Sequence, residues 1–175
     1  MNRRKALFTG IALAAGAAGL GGALWRQRKA TEKHDALEAA VWSRTFAQPN
    51  GQALRLADFR GKPLLLNFWA TWCPPCVREM PLLDRFHLDQ HANGWQVAGL
   101  AIDNQDAVKV FLAQHPVAYP IGLAGFAGAE LARTLGNVGG GLPFTVIFDR
   151  SGDVVDRKLG LVKPAELAGW AATVD

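Results

Sequence analysis

The sequence predicts an α/β fold: a central mixed sheet flanked by helices, entered through an N-terminal β-hairpin and closed by a second hairpin and a helix. Three observations carry that expectation. Leu64 to Ala70 is a near-continuous apolar run, the pattern of a strand buried on both faces of a sheet. Strand-like and helix-like segments alternate after it, as parallel strands joined by crossover helices require. The chain then ends on PFTVIFD, the turn RSGD, VVDRKLG and a helical stretch near Pro164 to Thr173.

In chain order, VWSRTF from Val41, a Pro-Asn-Gly turn at 49–51 and ALRLADF predict the N-terminal hairpin, ahead of the main fold. Gly61-Lys62-Pro63 resets the chain before the buried strand. Pro74 to His91 has helical spacing, with Val77, Met80, Leu83 and Leu88 apolar between charged residues. WQVAGLAI at 95–102 predicts a second strand, followed by a helix from Asp106 to about Gln114 that starts on Asn104 or Asp106 as its N-cap. A short YPIGL segment and a helix from about Phe126 to Leu135 lead into the closing strands.

The chain of 175 residues has a formal charge of +4, but Arg3, Arg4, Lys5, Arg26, Arg28 and Lys29 all precede the first acidic residue, Glu32. Without those six, 13 basic residues face 15 acidic ones, so the body is near neutral. That argues against nucleic acid as a partner, which would require Lys and Arg gathered on a folded surface. The six basic residues bracket ALFTGIALAAGAAGLGGALW, an uncharged stretch from Ala6 to Trp25. As a helix it would be about 30 Å long, enough for a membrane span. It reads equally as a signal peptide, with a basic start and an A-x-A site at Ala12-Leu13-Ala14; NRRKAL is a partial match to a twin-arginine signal. The expected organisation is therefore a signal peptide or membrane anchor at 1–29, a polar stalk at 30–40 and one folded domain at 41–175. Either reading places the domain outside the cytoplasm, where a disulfide persists.

Cys73 and Cys76 are the only cysteines in the chain. Residues i and i+3 on the first turn of a helix bring two side chains within disulfide reach, and the free N–H groups there favour a thiolate. Cys73, at the helix edge, is expected to have a lowered pKa and to act as an exposed attacker, with Cys76 more enclosed one turn in. Pro74 suits the first helical position, which can lose its N–H without loss. Two other readings stand beside this one. A stapling disulfide would close so short a loop that it adds little stability. A zinc site is suggested by C-x2-C-x10-H-x3-H through His87 and His91, although the CxxC follows a buried strand and the chain is long enough to build a core without metal. We expect no metal.

FWATWCPPC, with Asn67 six residues before Cys73 and Glu79 three after Cys76, resembles the thioredoxin superfamily. Within it the likeness is greater to the exported or membrane-anchored branch, the TlpA/ResA-like and cytochrome-c-maturation thiol:disulfide oxidoreductases. The resemblance covers roughly residues 41–175 and implies a thioredoxin-like sheet with an extra βα insertion, to which GLAIDNQDAVKVFLAQH is assigned. It implies that Cys73 is the nucleophile and Cys76 the resolving thiol. Pro81 matches the proline that kinks the motif helix. Trp72, Pro74, Leu142 and Pro143 would meet the substrate, Pro143 as a cis-proline that leaves the backbone of Leu142 free to pair with an extended client. Asn67 stands where cytoplasmic thioredoxins carry an aspartate, and Glu79 occupies the place of the glutamate that the TlpA/ResA-like branch uses instead. Glu79 is thus the candidate proton acceptor, with a surface carboxylate pairing with Arg78 or Arg85 as the plainer alternative.

The activity so implied is disulfide reduction in protein clients, in cytochrome c maturation or copper-site assembly, on the periplasmic side of the inner membrane. The domain would be anchored there by the N-terminal helix, or soluble in the periplasm after signal cleavage. The redox-active Cys73–Cys76 disulfide would serve with no further cofactor, re-reduced by a membrane thiol donor. The competing classes are a copper metallochaperone or other non-catalytic binding module, in which Met80 is the one methionine available beside the thiols, and a peroxide reductase, which would need a lone peroxidatic cysteine.

Overall fold

The computed structural model describes residues 25–26, 28–29, 37 and 39–174. The chain divides into a unit at Met1–Leu37 and a second at Glu38–Asp175. In the first, Trp25, Arg26, Arg28, Lys29 and Leu37 are helical. The rest of the expected anchor or signal, and most of the expected stalk, lie outside the described residues. Among the described residues, no helix is long and apolar enough to cross a membrane.

The second unit is built on one seven-stranded sheet. Its strands are β1 (Thr45–Ala47), β2 (Ala53–Arg55), β3 (Leu64–Trp69), β4 (Gln96–Ala101), β5 (Ile121–Leu123), β6 (Phe144–Phe148) and β7 (Val154–Leu159), in the order β2-β1-β5-β4-β3-β6-β7. The middle strands β3, β4 and β5 are parallel, and the outer pairings β3–β6, β6–β7, β5–β1 and β1–β2 are antiparallel. Helices α1 (Pro74–Gln90), α2 (Gln105–Gln114), α3 (Gly125–Thr134) and α4 (Pro164–Thr173) complete the layers. Every residue of β3 is buried, as expected for a strand with a partner on each edge and helices over its faces. The GLAIDNQDAVKVFLAQH segment supplies the end of β4 and all of α2, and β4 is the central strand of the seven.

Two expectations about the start of the domain need correction. VWSRTF is helical through Trp42 and becomes a strand only at Thr45, because Val41 and Trp42 are buried, with Trp42 packed edge-on against Phe148 at 5.2 Å. ALRLADF leaves the strand after Arg55 and turns into a 3₁₀ helix at Leu56–Phe59. Leu56 and Phe59, three apart, both point inward; that spacing suits a three-residue turn and not a strand, whose side chains alternate. The hairpin is also no separate appendage. β1 pairs with β5 through Ala47 and Leu123, so β1 and β2 extend the main sheet. The sequence's other elements fall within a residue or two of their expected bounds, and Asn104 is the N-cap of α2, accepting from Asp106 N at 2.9 Å and Ala107 N at 3.3 Å.

Candidate functional site

The site sits where the buried strand β3 gives way to α1. After Trp69 the chain runs through Ala70 and Thr71, and Thr71 is fixed from the neighbouring strand's exit: its backbone N donates to Asp103 Oδ2 at 2.9 Å and its hydroxyl to the same oxygen at 2.5 Å. Burial pushes the Asp103 carboxyl up, but the bonds from Thr71 and from Asn104 N outweigh it and leave it below the ordinary aspartate value. Trp72, next along, projects into solvent with 65% of its surface exposed.

Cys73 is the N-cap of α1, in extended conformation, and Pro74 and Pro75 take the first two helical positions, where no intrahelical N–H bond is due. The first free amide of the helix, Cys76 N, donates to Cys73 Sγ at 3.3 Å. Cys73 and Cys76 are joined by a disulfide, S–S 2.05 Å with the Cα atoms 5.3 Å apart. Cys76 is fully buried, as the sequence predicts for the resolving partner. Cys73 is not the exposed side chain expected: it retains 4% exposure, since the disulfide turns its Sγ inward toward Cys76. The aromatic exposed beside it is Trp72.

The Leu142–Pro143 peptide is cis, as the resemblance implies. Pro143 is buried and Leu142 half-buried, packed on the cluster that contains both cysteines. Pro143 O accepts from Gly160 N at 2.8 Å, which ties this segment to the end of β7. The apolar surface beyond that tie carries no local signal in the sequence: Leu159 and Leu161, either side of Gly160, are exposed apolar side chains, and Val138 before the Gly139–Gly141 turn is another. A Cβ on Gly141 would lie 3.0 Å from Leu159 Cδ1, so the turn and β7 touch. Leu142 packs on the cluster of the disulfide, while Trp72, Leu159 and Leu161 are exposed apolar side chains on the segments next to Cys73 and to the cis bond's Gly160 tie.

Glu79 is 1% exposed and belongs to the interior of the site, so the surface pairing with Arg78 or Arg85 does not form. Arg85 instead meets Asp89 at 3.1 Å. Glu79 Oε1 accepts from Asn67 Nδ2 at 2.8 Å, and Oε2 accepts from Val162 N at 2.9 Å. Burial raises its pKa above 4.5, partly offset by those two bonds. Asn67 Nδ2 also donates to Thr145 Oγ1 at 3.0 Å. Thr145 and Val162 were not legible as site residues, because they come from strands and loops far along the chain; only β3–β6 register places Thr145 opposite Asn67.

The zinc spacing fails on geometry. Cys76 and His87 lie eleven residues apart on the one helix α1, about 16 Å at the usual rise, too far for a common ion. His87 instead rings against His91 at 5.4 Å and Tyr119 at 6.3 Å. Met80 is buried in the core with Cys76, a packing position. Pro81 lies inside α1 without ending it. The arrangement places two sulfurs that can exchange a disulfide at a helix N-terminus, with Leu142 of the cis bond packed on their cluster and a buried carboxyl one helical turn beyond Cys76.

The family described as Redoxin matches residues 35–171. Thiol-disulfide oxidoreductase ResA of Bacillus anthracis is 33% identical over 121 residues, covering 69% of this chain and 68% of that protein. ResA of Bacillus thuringiensis subsp. konkukian is 34% identical over 111 residues, covering 63% of this chain; the match spans 62% of that relative's length, just under two thirds. A solved thiol:disulfide interchange protein of the thioredoxin family from Chlorobium tepidum superposes with a TM-score of 0.66 at 27% identity, over 75% of this chain and 92% of that one. StoA from Bacillus subtilis superposes at 0.59 and 21% identity, over 74% of this chain and 98% of that one, a likeness of fold.

Proposed function

The chain belongs to the redoxin family, and from that we propose that it is an extracytoplasmic thiol:disulfide oxidoreductase that reduces disulfides in protein clients. The observation that carries the reading is the Cys73–Cys76 disulfide at the N-terminus of α1, beside the cis Leu142–Pro143 bond. In the reduced enzyme, Cys73 as thiolate attacks one sulfur of a client disulfide; a Cys73–client bond forms as the client S–S bond breaks, and the first client sulfur leaves as a thiolate. Cys76 then gives up its proton, attacks Cys73 Sγ and expels the second client sulfur. The client gains two electrons and the enzyme returns to the Cys73–Cys76 disulfide.

Each neighbouring residue has a role in that sequence. The helix N-terminus and the Cys76 amide favour a negative Cys73 sulfur. Glu79, buried one turn along from Cys76 with a raised pKa, is the group suited to take and return the Cys76 proton. Trp72, Pro74, Leu142 and Pro143 receive the client, whose extended backbone pairs at Leu142 while Cys73 holds it. No third cysteine exists in the chain, so its electrons come from a separate dithiol, a membrane thiol donor on this reading. Residues 1–29 hold the domain on the periplasmic face of the inner membrane or are cleaved after export, and the clients are disulfides met in cytochrome c maturation or copper-site assembly.

The test is an equilibrium of the purified chain with glutathione buffers of set potential, reading the fraction of disulfide by mass, together with reduction of insulin disulfides. A potential near that of thioredoxin, about −270 mV, with insulin turnover supports a reductant. A potential near about −120 mV makes it an oxidant and overturns the direction proposed. Failure to cycle between dithiol and disulfide removes the enzymatic reading altogether.

A further inference from the structure

We propose that Asn67, held by Thr145, is a positioning residue for this exchange: its amide fixes the Glu79 carboxyl one helical turn beyond Cys76 and sets the pH at which Glu79 gives and takes a proton. The proposal rests on the reading of Cys73 and Cys76 as the exchanging pair. Asn67 lies within β3, fully buried, where its backbone serves the ladders to β4 and β6. Its side-chain nitrogen spends one N–H on Glu79 Oε1, at 2.8 Å, and the other on Thr145 Oγ1, at 3.0 Å. Its oxygen is left buried with no partner among the described residues.

That unpaired oxygen is the informative feature. An amide free to choose would turn to satisfy both ends, since a buried unpaired acceptor is costly. Turned over, however, Asn67 would set its oxygen against a carboxylate oxygen at the same short distance. The observed orientation therefore serves Glu79 before it serves Asn67. Thr145 secures it: the two residues are register partners on β3 and β6, and the amide cannot rotate without breaking both bonds. With Val162 N on Oε2, each oxygen of Glu79 faces a donor, an arrangement that suits the anion, while burial favours the neutral acid. The bonds and the burial pull in opposite directions, and Asn67 is the one side chain among the described residues that donates to the carboxyl. Thr145 lies two residues after Pro143, so the cis bond leads directly into the strand that anchors Asn67.

The ionisable groups around Glu79 are the two thiols of the reduced pair on α1 and, from the segment before β5, Tyr119, whose buried phenol is pushed up by burial and by the Asp84 and Glu79 carboxylates. From β3, β6 and the loop after β7 the facing groups are Asn67, Thr145 and the Val162 amide, none of which titrates. A shift on changing Asn67 or Thr145 therefore reports the hydrogen bond and not a lost charge.

The test is a pH titration of the Glu79 carboxyl by carbon-13 NMR in the reduced full chain, with the Glu79→Gln variant assigning the resonance, alongside the pH profile of Cys73 alkylation. Asn67→Leu removes the donor and is expected to raise the Glu79 midpoint by about one pH unit, the worth of a hydrogen bond to a charged group. Thr145→Val frees the amide and shifts the midpoint the same way by less; Thr145→Ser, which keeps the hydroxyl, stays at the wild-type value. An unchanged midpoint in Asn67→Leu, or equal shifts in Thr145→Ser and Thr145→Val, overturns the proposal. Should Asn67→Leu fail to fold, the Thr145 pair decides it alone. The titration needs no client, so absent insulin reduction alongside the expected shifts would sink the reductase reading and leave the Asn67–Glu79 coupling standing.

Discussion

The loop that presents Trp72 and Cys73 is held at one point that the structure makes measurable. Asp103→Ala removes the acceptor of the Thr71 amide and the Thr71 hydroxyl, at 2.9 and 2.5 Å. A hydrogen bond to a charged group is worth about 1.5–3 kcal/mol when sheltered, but Asp103 is only half-buried and water replaces part of each bond. About 1 kcal/mol apiece, or about 2 kcal/mol together, is the appropriate scale. For a folded unit of this size that lowers the unfolding midpoint by about 7 °C. The pH dependence has a fixed sign. The folded carboxyl lies below the ordinary value of 3.8, so its stabilisation is present above that value and is lost as pH falls through the folded pKa. Thermal unfolding of the oxidised protein, wild type against variant, should show the full gap at pH 7 and a closing gap below about pH 3.8. Equal midpoints at pH 7, or a gap undiminished in strong acid, would refute the role given to Asp103.

The other predictions test separate parts of the reading. Cys76→Ser removes the resolving thiol, so reduced protein mixed with a disulfide client should accumulate a Cys73–client adduct by mass; Cys73→Ser should not, and an adduct on Cys76 would reverse the assigned order. Glu79→Gln removes a buried acid whose folded pKa is raised above 4.5; the stabilisation tied to its neutral form is complete below that value and lost as pH rises through the folded pKa. Wild type should therefore weaken relative to Glu79→Gln from pH 4 to 8, by about 1.4 kcal/mol for each pH unit that separates the folded midpoint from the unfolded one, and parallel stability curves would contradict the raised pKa. Gly122→Ala sets a Cβ 2.8 Å from Leu100 Cδ2, 2.9 Å from Leu54 Cδ2 and 3.0 Å from Phe46 Cβ. The overpacking should cost about 1–3 kcal/mol in urea unfolding, and an unchanged midpoint would deny that the hairpin packs on β5.

What the sequence made legible was what is written locally. The Cys-Pro-Pro-Cys turn, the prolines at the first helical positions, the apolar run of β3 and the closing Pro164–Thr173 helix each carry their signal within a few residues, and each forms where expected. The start of the domain misled because its pattern is ambiguous at short range: Leu56 and Phe59 read as strand residues until their three-residue spacing is seen filling one patch of core. The partners of Glu79 were out of reach for a different reason. Val162 is 83 residues away from it, and Thr145 is 78 residues from Asn67, distances that only sheet register and the loop after β7 can close. Spacing put Glu79 one turn beyond Cys76, but which way that turn faces depends on the sheet behind it.

The polar core beneath the cysteines also argues for its own purpose. Asn67, Glu79 and Thr145 are buried within layers otherwise built from residues such as Leu65, Leu66, Val146 and Ile147. An apolar side chain at each of the three would remove a buried carboxyl and an unpaired amide oxygen, and replacing a satisfied polar group by a well-packed apolar one is often neutral or stabilising. Packing therefore gives no reason for these residue types at these places. Their bonds converge on one carboxyl, each oxygen of it receives one donor, and it lies one helical turn from the resolving cysteine. On the function proposed above, a titratable group held at that position has a use, taking and returning the Cys76 proton, that a stapling disulfide would not give it.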